Sequence, residues 1–145
     1  MTASGERRRL HAGDLLYRKV NPGEYEGEVI DPTAFIGKYP RQSFYLARVA
    51  SPAAALASFA RFAGVRQQCG TGDRAPTVDE MYAAGYRVAT VAYQAFIDLG
   101  YQADPDEGGN EFAPNGHVNI IDAKSRATPL SRIARLLSRE ETLGR

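Results

Sequence analysis

The chain has 145 residues, 43% of them hydrophobic, enough for one globular domain that buries about 68% of its unfolded surface. Its 18 Lys and Arg against 17 Asp and Glu leave a formal charge of +1, so no global field draws it to nucleic acid or to anionic lipid. A single cysteine, Cys69, excludes an internal disulfide and a cysteine-rich zinc site and fits a reducing compartment.

No apolar run reaches the length that spans a bilayer, and Arg7-Arg8-Arg9 precedes His11, Gly13 and Asp14 rather than a signal-type segment. The expected location is therefore the cytoplasm, with no membrane contact. Residues 1–13 are expected to be a flexible segment and 14–145 a single globular domain. Asp14 to Val20 reads as a first strand, and Asn21-Pro22-Gly23 turns the chain into a long irregular excursion to Gln42 with Phe35 as its anchor. Ser43 to Val49 reads as a second strand whose alternation sets Phe44, Leu46 and Arg48 against Tyr45, Ala47 and Val49.

Ser51 as cap and Pro52 as first residue predict a helix to about Ala63, with Leu56, Phe59, Ala60 and Ala63 on its apolar stripe and Gly64 as its stop. Arg66 to Pro76 is polar and glycine-bearing, and Thr77-Val78-Asp79-Glu80 has the form of a capping box opening a helix that Gly85 ends. Tyr86 to Val91 reads as a third strand, Tyr93 to Leu99 as a helix stopped by Gly100, and Val118 to Ile121 as a fourth strand. A last helix is predicted with Thr128 as cap and Pro129 first, Leu130, Ile133, Ala134 and Leu137 inward, and Arg132, Arg135 and Arg139 outward. The expected class is α+β (mixed α/β): a sheet of about four strands with three to four helices packed against it.

The run Ala113-Pro114-Asn115-Gly116-His117 delivers a histidine to the mouth of the fourth strand. There it can act as base or ligand anchor, or simply hydrogen-bond the turn. Asp104, Asp106, Glu107 and Glu111 lack the spacing of a calcium loop and read as a solvated acidic loop. His11, Cys69 and His117 have no metal-ligand spacing, so no metal is expected. Gly37-Lys38 lacks the rest of a phosphate loop, no Gly-x-Ser-x-Gly turn occurs, and Glu140 and Glu141 dilute the C-terminal arginines, so nucleic acid is not the expected partner.

Over roughly the first 60 residues, Leu16-Tyr17-Arg18, Phe44-Tyr45-Leu46-Ala47 and Ser51-Pro52 leading into Leu56-Ala57-Ser58 resemble the pattern of RES-domain toxins, NAD-consuming relatives of ADP-ribosyltransferases. In that family an arginine at the end of the first strand helps hold the dinucleotide, and a glutamate in the helix after the second strand assists glycosidic cleavage. The resemblance gives Arg18 the first role and puts Ser58, which cannot ionise, in the glutamate's place. Arg18, Ser43 and Glu111 imitate the Arg, Ser, Glu order of other ADP-ribosyltransferases. A second resemblance, carried by Arg18, Ala34-Phe35 and Pro114 to Ile120, is to small bacterial proteins of unknown function.

Two expectations follow. In the first, the domain is a non-catalytic accessory module without a cofactor. It contacts another protein through loops 21–42 and 101–116, with Tyr25, Phe35, Tyr39 and Tyr45 as aromatic anchors. In the second it consumes NAD as substrate, with Arg18, Glu111 and His117 catalytic and Arg18, Ser43 and Tyr45 holding the dinucleotide. The second requires Arg18, Ser43, Glu111 and His117 to converge in one cleft.

Overall fold

Strand β1 (Leu15–Val20) carries fully buried Leu16 and Val20 on one face and Tyr17 on the other, so it finds apolar partners on both sides and takes the centre of the sheet. The computed structural model describes residues 9–36, 41–101, 103, 112, 115–121 and 126–142. Within them a five-stranded antiparallel sheet runs in the order β6 (His117–Ile121), β4 (Arg41–Leu46), β1, β5 (Arg87–Ala92), β7 (Arg135–Leu136). A two-stranded sheet of β2 (Tyr25–Glu26) and β3 (Val29–Ile30), followed by a 3-10 turn at Pro32–Phe35, fills the excursion after β1. Six short helices complete the α+β fold: α1 (Pro52–Ala57), α2 (Ala63–Cys69), α3 (Val78–Ala83), α4 (Tyr93–Asp98), α5 (Ala127–Ile133) and α6 (Arg139–Thr142).

Both faces of the sheet are covered. On one, Leu16, Phe35, Phe44, Leu46, Phe96 and Ile120 form the larger cluster, where Phe44 meets Phe96 edge to face at 5.1 Å. On the other, Leu56, Val65, Met81, Tyr82 and Val88 form a second cluster with Leu137. Packing on the first face reaches upstream of β1 to buried Leu10. Asp14 helps hold that segment, its carboxylate accepting from the His11 N–H at 2.8 Å and from Arg48 Nε at 2.8 Å.

The strand pairing is uneven. β1 pairs with β5 at all six of its residues and β4 with β6 at five, but β1 and β4 pair only at Leu16↔Leu46 and Tyr17↔Tyr45. Beyond those two rungs the strands part, and a cleft opens between Arg18-Lys19 and Gln42-Ser43.

Several expected elements are redrawn. The second strand begins two residues earlier, at Arg41, and ends at Leu46, while Ala47 to Val49 turn. Ser51 does cap its helix, accepting from the Ala54 N–H at 3.0 Å, but the helix stops at Ala57. Ser58 Oγ donates to the Ala55 carbonyl at 2.6 Å, and the next turns close three residues back. A second helix, α2, then occupies what reads as polar loop and places Val65 in the second cluster. Gly64 lies inside α2, and the stop is Gly70 at φ 70°. Ala63 is consequently exposed rather than core.

The last predicted helix is also shorter. Arg126, not Thr128, occupies the cap position, and Ala134 is already extended. Leu130 belongs to the first cluster and Leu137 to the second, so one straight helix cannot bury both. The chain instead crosses the sheet edge as β7, pairing with Ala89 and Thr90, and Ile133 is left 52% exposed. The three arginines do not share a helical face: Arg132 closes α5, Arg135 pairs with Glu141 at 2.6 Å, and Arg139 pairs with Asp79 at 2.8 Å.

Phe35 is fully buried in the larger cluster, so it is a core residue and not an accessible docking anchor. Phe35→Ala should lower unfolding free energy by about 3–5 kcal/mol, measured by urea denaturation at constant slope. A loss below about 1 kcal/mol would return Phe35 to the surface.

Candidate functional site

The cleft between the diverging strands has a volume of about 190 Å³ and is lined by Arg18, Lys19, Glu24, Gln42, Ser43 and Phe59 together with Asn21, Ala34 and Ile36. Arg18 and Lys19 are neighbours in an extended strand and so leave it on opposite faces. Both reach the cleft because the missing rungs leave the sheet open there. Arg18 Nε donates to the Ala34 carbonyl at 2.9 Å and Nη1 to the Ser43 carbonyl at 2.9 Å, with its guanidinium 5.4 Å from the Phe44 ring centroid. It thereby ties β1 to the 3-10 turn on one side and to β4 on the other.

Lys19 Nζ donates to Asn21 Oδ1 and sits 4.9 Å from the Phe59 ring and 5.6 Å from the Tyr86 ring. The Asn21-Pro22-Gly23 turn folds Glu24 back, its Oε1 accepting from the Asn21 N–H at 2.8 Å. Two cations and one carboxylate thus line the same cleft. Burial draws the Arg18 guanidinium down to about 10. Burial, reinforced by Arg18 next to it and opposed by Glu24, draws the Lys19 ammonium down to about 8.

His117 stands at the first position of β6, where Asn115 Oδ1 accepts from its main-chain N–H at 3.1 Å. The preceding Gly116 has φ 91°, and a Cβ there would meet the Val49 side chain at 3.3 Å. His117 Nε2 lies 3.1 Å from Ser43 Oγ, and Ser43 Oγ lies 3.4 Å from Asn119 Oδ1. The Tyr45 ring contacts His117 edge to face at 5.3 Å and Phe59 at 6.2 Å.

The structure therefore brings Arg18 and Ser43 into one cleft, with His117 bonded to Ser43 and Tyr45 behind His117. Glu111 lies outside the described residues, as do Tyr39 and most of loop 101–116. Ser58, set in the glutamate's place by the RES resemblance, is exposed; its neighbour Phe59 lines the cleft instead. Lys19, Glu24 and Gln42 are not marked as site residues by the sequence, and Phe59, expected on the apolar stripe of its helix, lines the cleft instead. The signal available for Lys19 was a second charge beside Arg18 in an otherwise apolar strand. Glu24 carried none, because it reaches the cleft through the geometry of a turn.

Among the described residues, no group of three or more His, Cys, Asp and Glu is placed to hold a metal ion, and no helix is long and apolar enough to cross a membrane. No family model, curated protein or solved structure matches the chain.

Two measurements test this electrostatic arrangement. Arg18→Ala leaves the Ala34 and Ser43 carbonyls without their donor and should cost about 2–5 kcal/mol, read by denaturant titration; a neutral result would mean that water replaces the guanidinium. Lys19 releases its proton near 8 in the folded chain but near its ordinary 10.5 when unfolded. Between those pH values the unfolded state binds more protons, so stability rises with pH. Melting curves from pH 8 to 10 should show that rise relative to Lys19→Met, and parallel curves would refute the burial of the charge.

Proposed function

We propose that this domain binds a phosphate-bearing small molecule of the NAD or ADP-ribose class in the cleft between β1 and β4. The observation that carries the reading is the charge inventory of that cleft among the described residues: Arg18 and Lys19 side by side, partly withdrawn from water, against the carboxylate of Glu24. Burying unbalanced cations costs free energy, and an anion in the cleft relieves it. Phosphate oxygens suit both groups, since guanidinium binds them through directed N–H donors and ammonium as a point charge. Ser43 lines the far side, and its hydroxyl, 3.1 Å from His117 Nε2, would meet a sugar hydroxyl of such a ligand.

The support for a protein-docking role is weaker. Phe35 is in the core, and Tyr25 lies under the Arg87 guanidinium at 5.5 Å, so two of the four aromatic anchors are engaged in the domain's own packing. Turnover of NAD would further require a carboxylate beside the ribose, and among the residues lining the cleft that group is Glu24.

The test is isothermal titration of the full chain with NAD, ADP-ribose and inorganic phosphate. Lys19→Met should weaken binding by about tenfold or more, the worth of one charge-assisted contact. Wild-type affinity should decline as pH rises above 8, where Lys19 loses its charge. Absence of heat with all three ligands, or binding indifferent to both the substitution and pH, would refute the reading. Nicotinamide release assayed on the same samples separates binding from catalysis.

A further inference from the structure

Lys19 lies among aromatic and charged groups at the edge of the cleft. Its amine is held between the Phe59 and Tyr86 rings, steadied by Asn21 Oδ1, and it faces a cleft that also holds the Arg18 guanidinium and the Glu24 carboxylate. An amine screened from water and set beside a second cation releases its proton at lower pH than an exposed lysine, and the unprotonated fraction is the nucleophile. A value near 8 for Lys19 accords with this placement.

We propose that Lys19 is a reactive amine that condenses with the carbonyl group of a small 2-oxo acid or acidic aldehyde admitted to the β1–β4 cleft. The unprotonated Nζ attacks the carbonyl carbon, forming a C–N bond while the π pair moves to the carbonyl oxygen. Glu24 takes the proton lost by nitrogen and returns it to that oxygen. A further proton converts the resulting hydroxyl into leaving water, and the nitrogen lone pair closes the C=N bond of a protonated imine. Amine, carbonyl compound and one proton thus give iminium and water, with no redox partner. Arg18 orients the substrate: its Nη2 makes no hydrogen bond among the described residues and is the donor left for a carboxylate. This orienting role rests on the anion-binding reading given above, whereas the reactivity of the amine does not.

The experiment treats the full chain at pH 8 with glyoxylate, and separately with uncharged propionaldehyde, in the presence of cyanoborohydride, which reduces the imine to a stable adduct. Peptide mass mapping is simple because the chain has three lysines, Lys19, Lys38 and Lys124. With glyoxylate, Lys19 should be labelled about tenfold faster than the other two, the preference falling as pH drops below 8 and the rate falling in Glu24→Gln. Inorganic phosphate added to the wild-type chain should compete for the Arg18 anion site, slowing glyoxylate and leaving uncharged propionaldehyde unchanged. Labelling of Lys19 no faster than Lys38 and Lys124 with either reagent overturns the proposal. Selective labelling by both reagents that is indifferent to phosphate sustains the reactive amine and overturns the orientation by an anion site.

Discussion

The Arg18 guanidinium is the constraint on which the rest of this structure depends. It occupies the place where β1 and β4 cease to pair, and it spans the gap with one hydrogen bond to the Ala34 carbonyl and one to the Ser43 carbonyl. Withdrawing a guanidinium from water costs several kcal/mol; two charge-assisted bonds and the face of Phe44 offset it. A hydrophobic residue there would let the strands separate, and a lysine could not serve two carbonyls set on different elements. Where main-chain pairing between β1 and β4 ends, the guanidinium supplies the link instead.

The functional consequence comes from strand geometry. In a fully paired sheet, Arg18 and Lys19 would face opposite sides and share nothing. Loss of the rungs beyond Tyr17↔Tyr45 places both beside one cavity, and the turn after β1 supplies Glu24 as a partial counterion. Gln42 and Ser43 of β4 form the far side, and beyond Ser43 the pairing of β4 with β6 sets its hydroxyl, the His117 imidazole and the Tyr45 ring in one patch. Elements distant in sequence thus contribute two cations, a carboxylate and Ser43 to the lining of one cleft. Such pooling of unbalanced charge reduces stability, and sites that bind or react commonly accept that loss.

Much of the architecture was legible in the chain. Local rules that act within four residues were followed: Ser51 and Thr77 cap their helices, Glu80 completes the capping box, and Gly85 and Gly100 take positive φ at the ends of α3 and α4. The rules failed where two clusters competed for one segment. Leu130 and Leu137 satisfy a helical period, yet they serve opposite faces of the sheet, and the edge of β5 offered main-chain partners that ended the helix. The stripe running from Leu56 to Ala63 broke because Val65 has a place in the second cluster that a continuous helix would deny it.

The candidate site divides along the same line. The sequence by itself determined the ingredients at fixed local positions: an arginine inside an apolar strand, and a histidine delivered by an Asn-Gly turn to the start of another. Only the tertiary structure decided that Lys19 and Glu24 join Arg18, that Ser43 meets His117 across two paired strands, and that Phe35 is core. The reason is physical. Backbone capping and turn chemistry are short-range and written in neighbouring residues, whereas strand divergence and the desolvation of a charge depend on which distant elements pack around it.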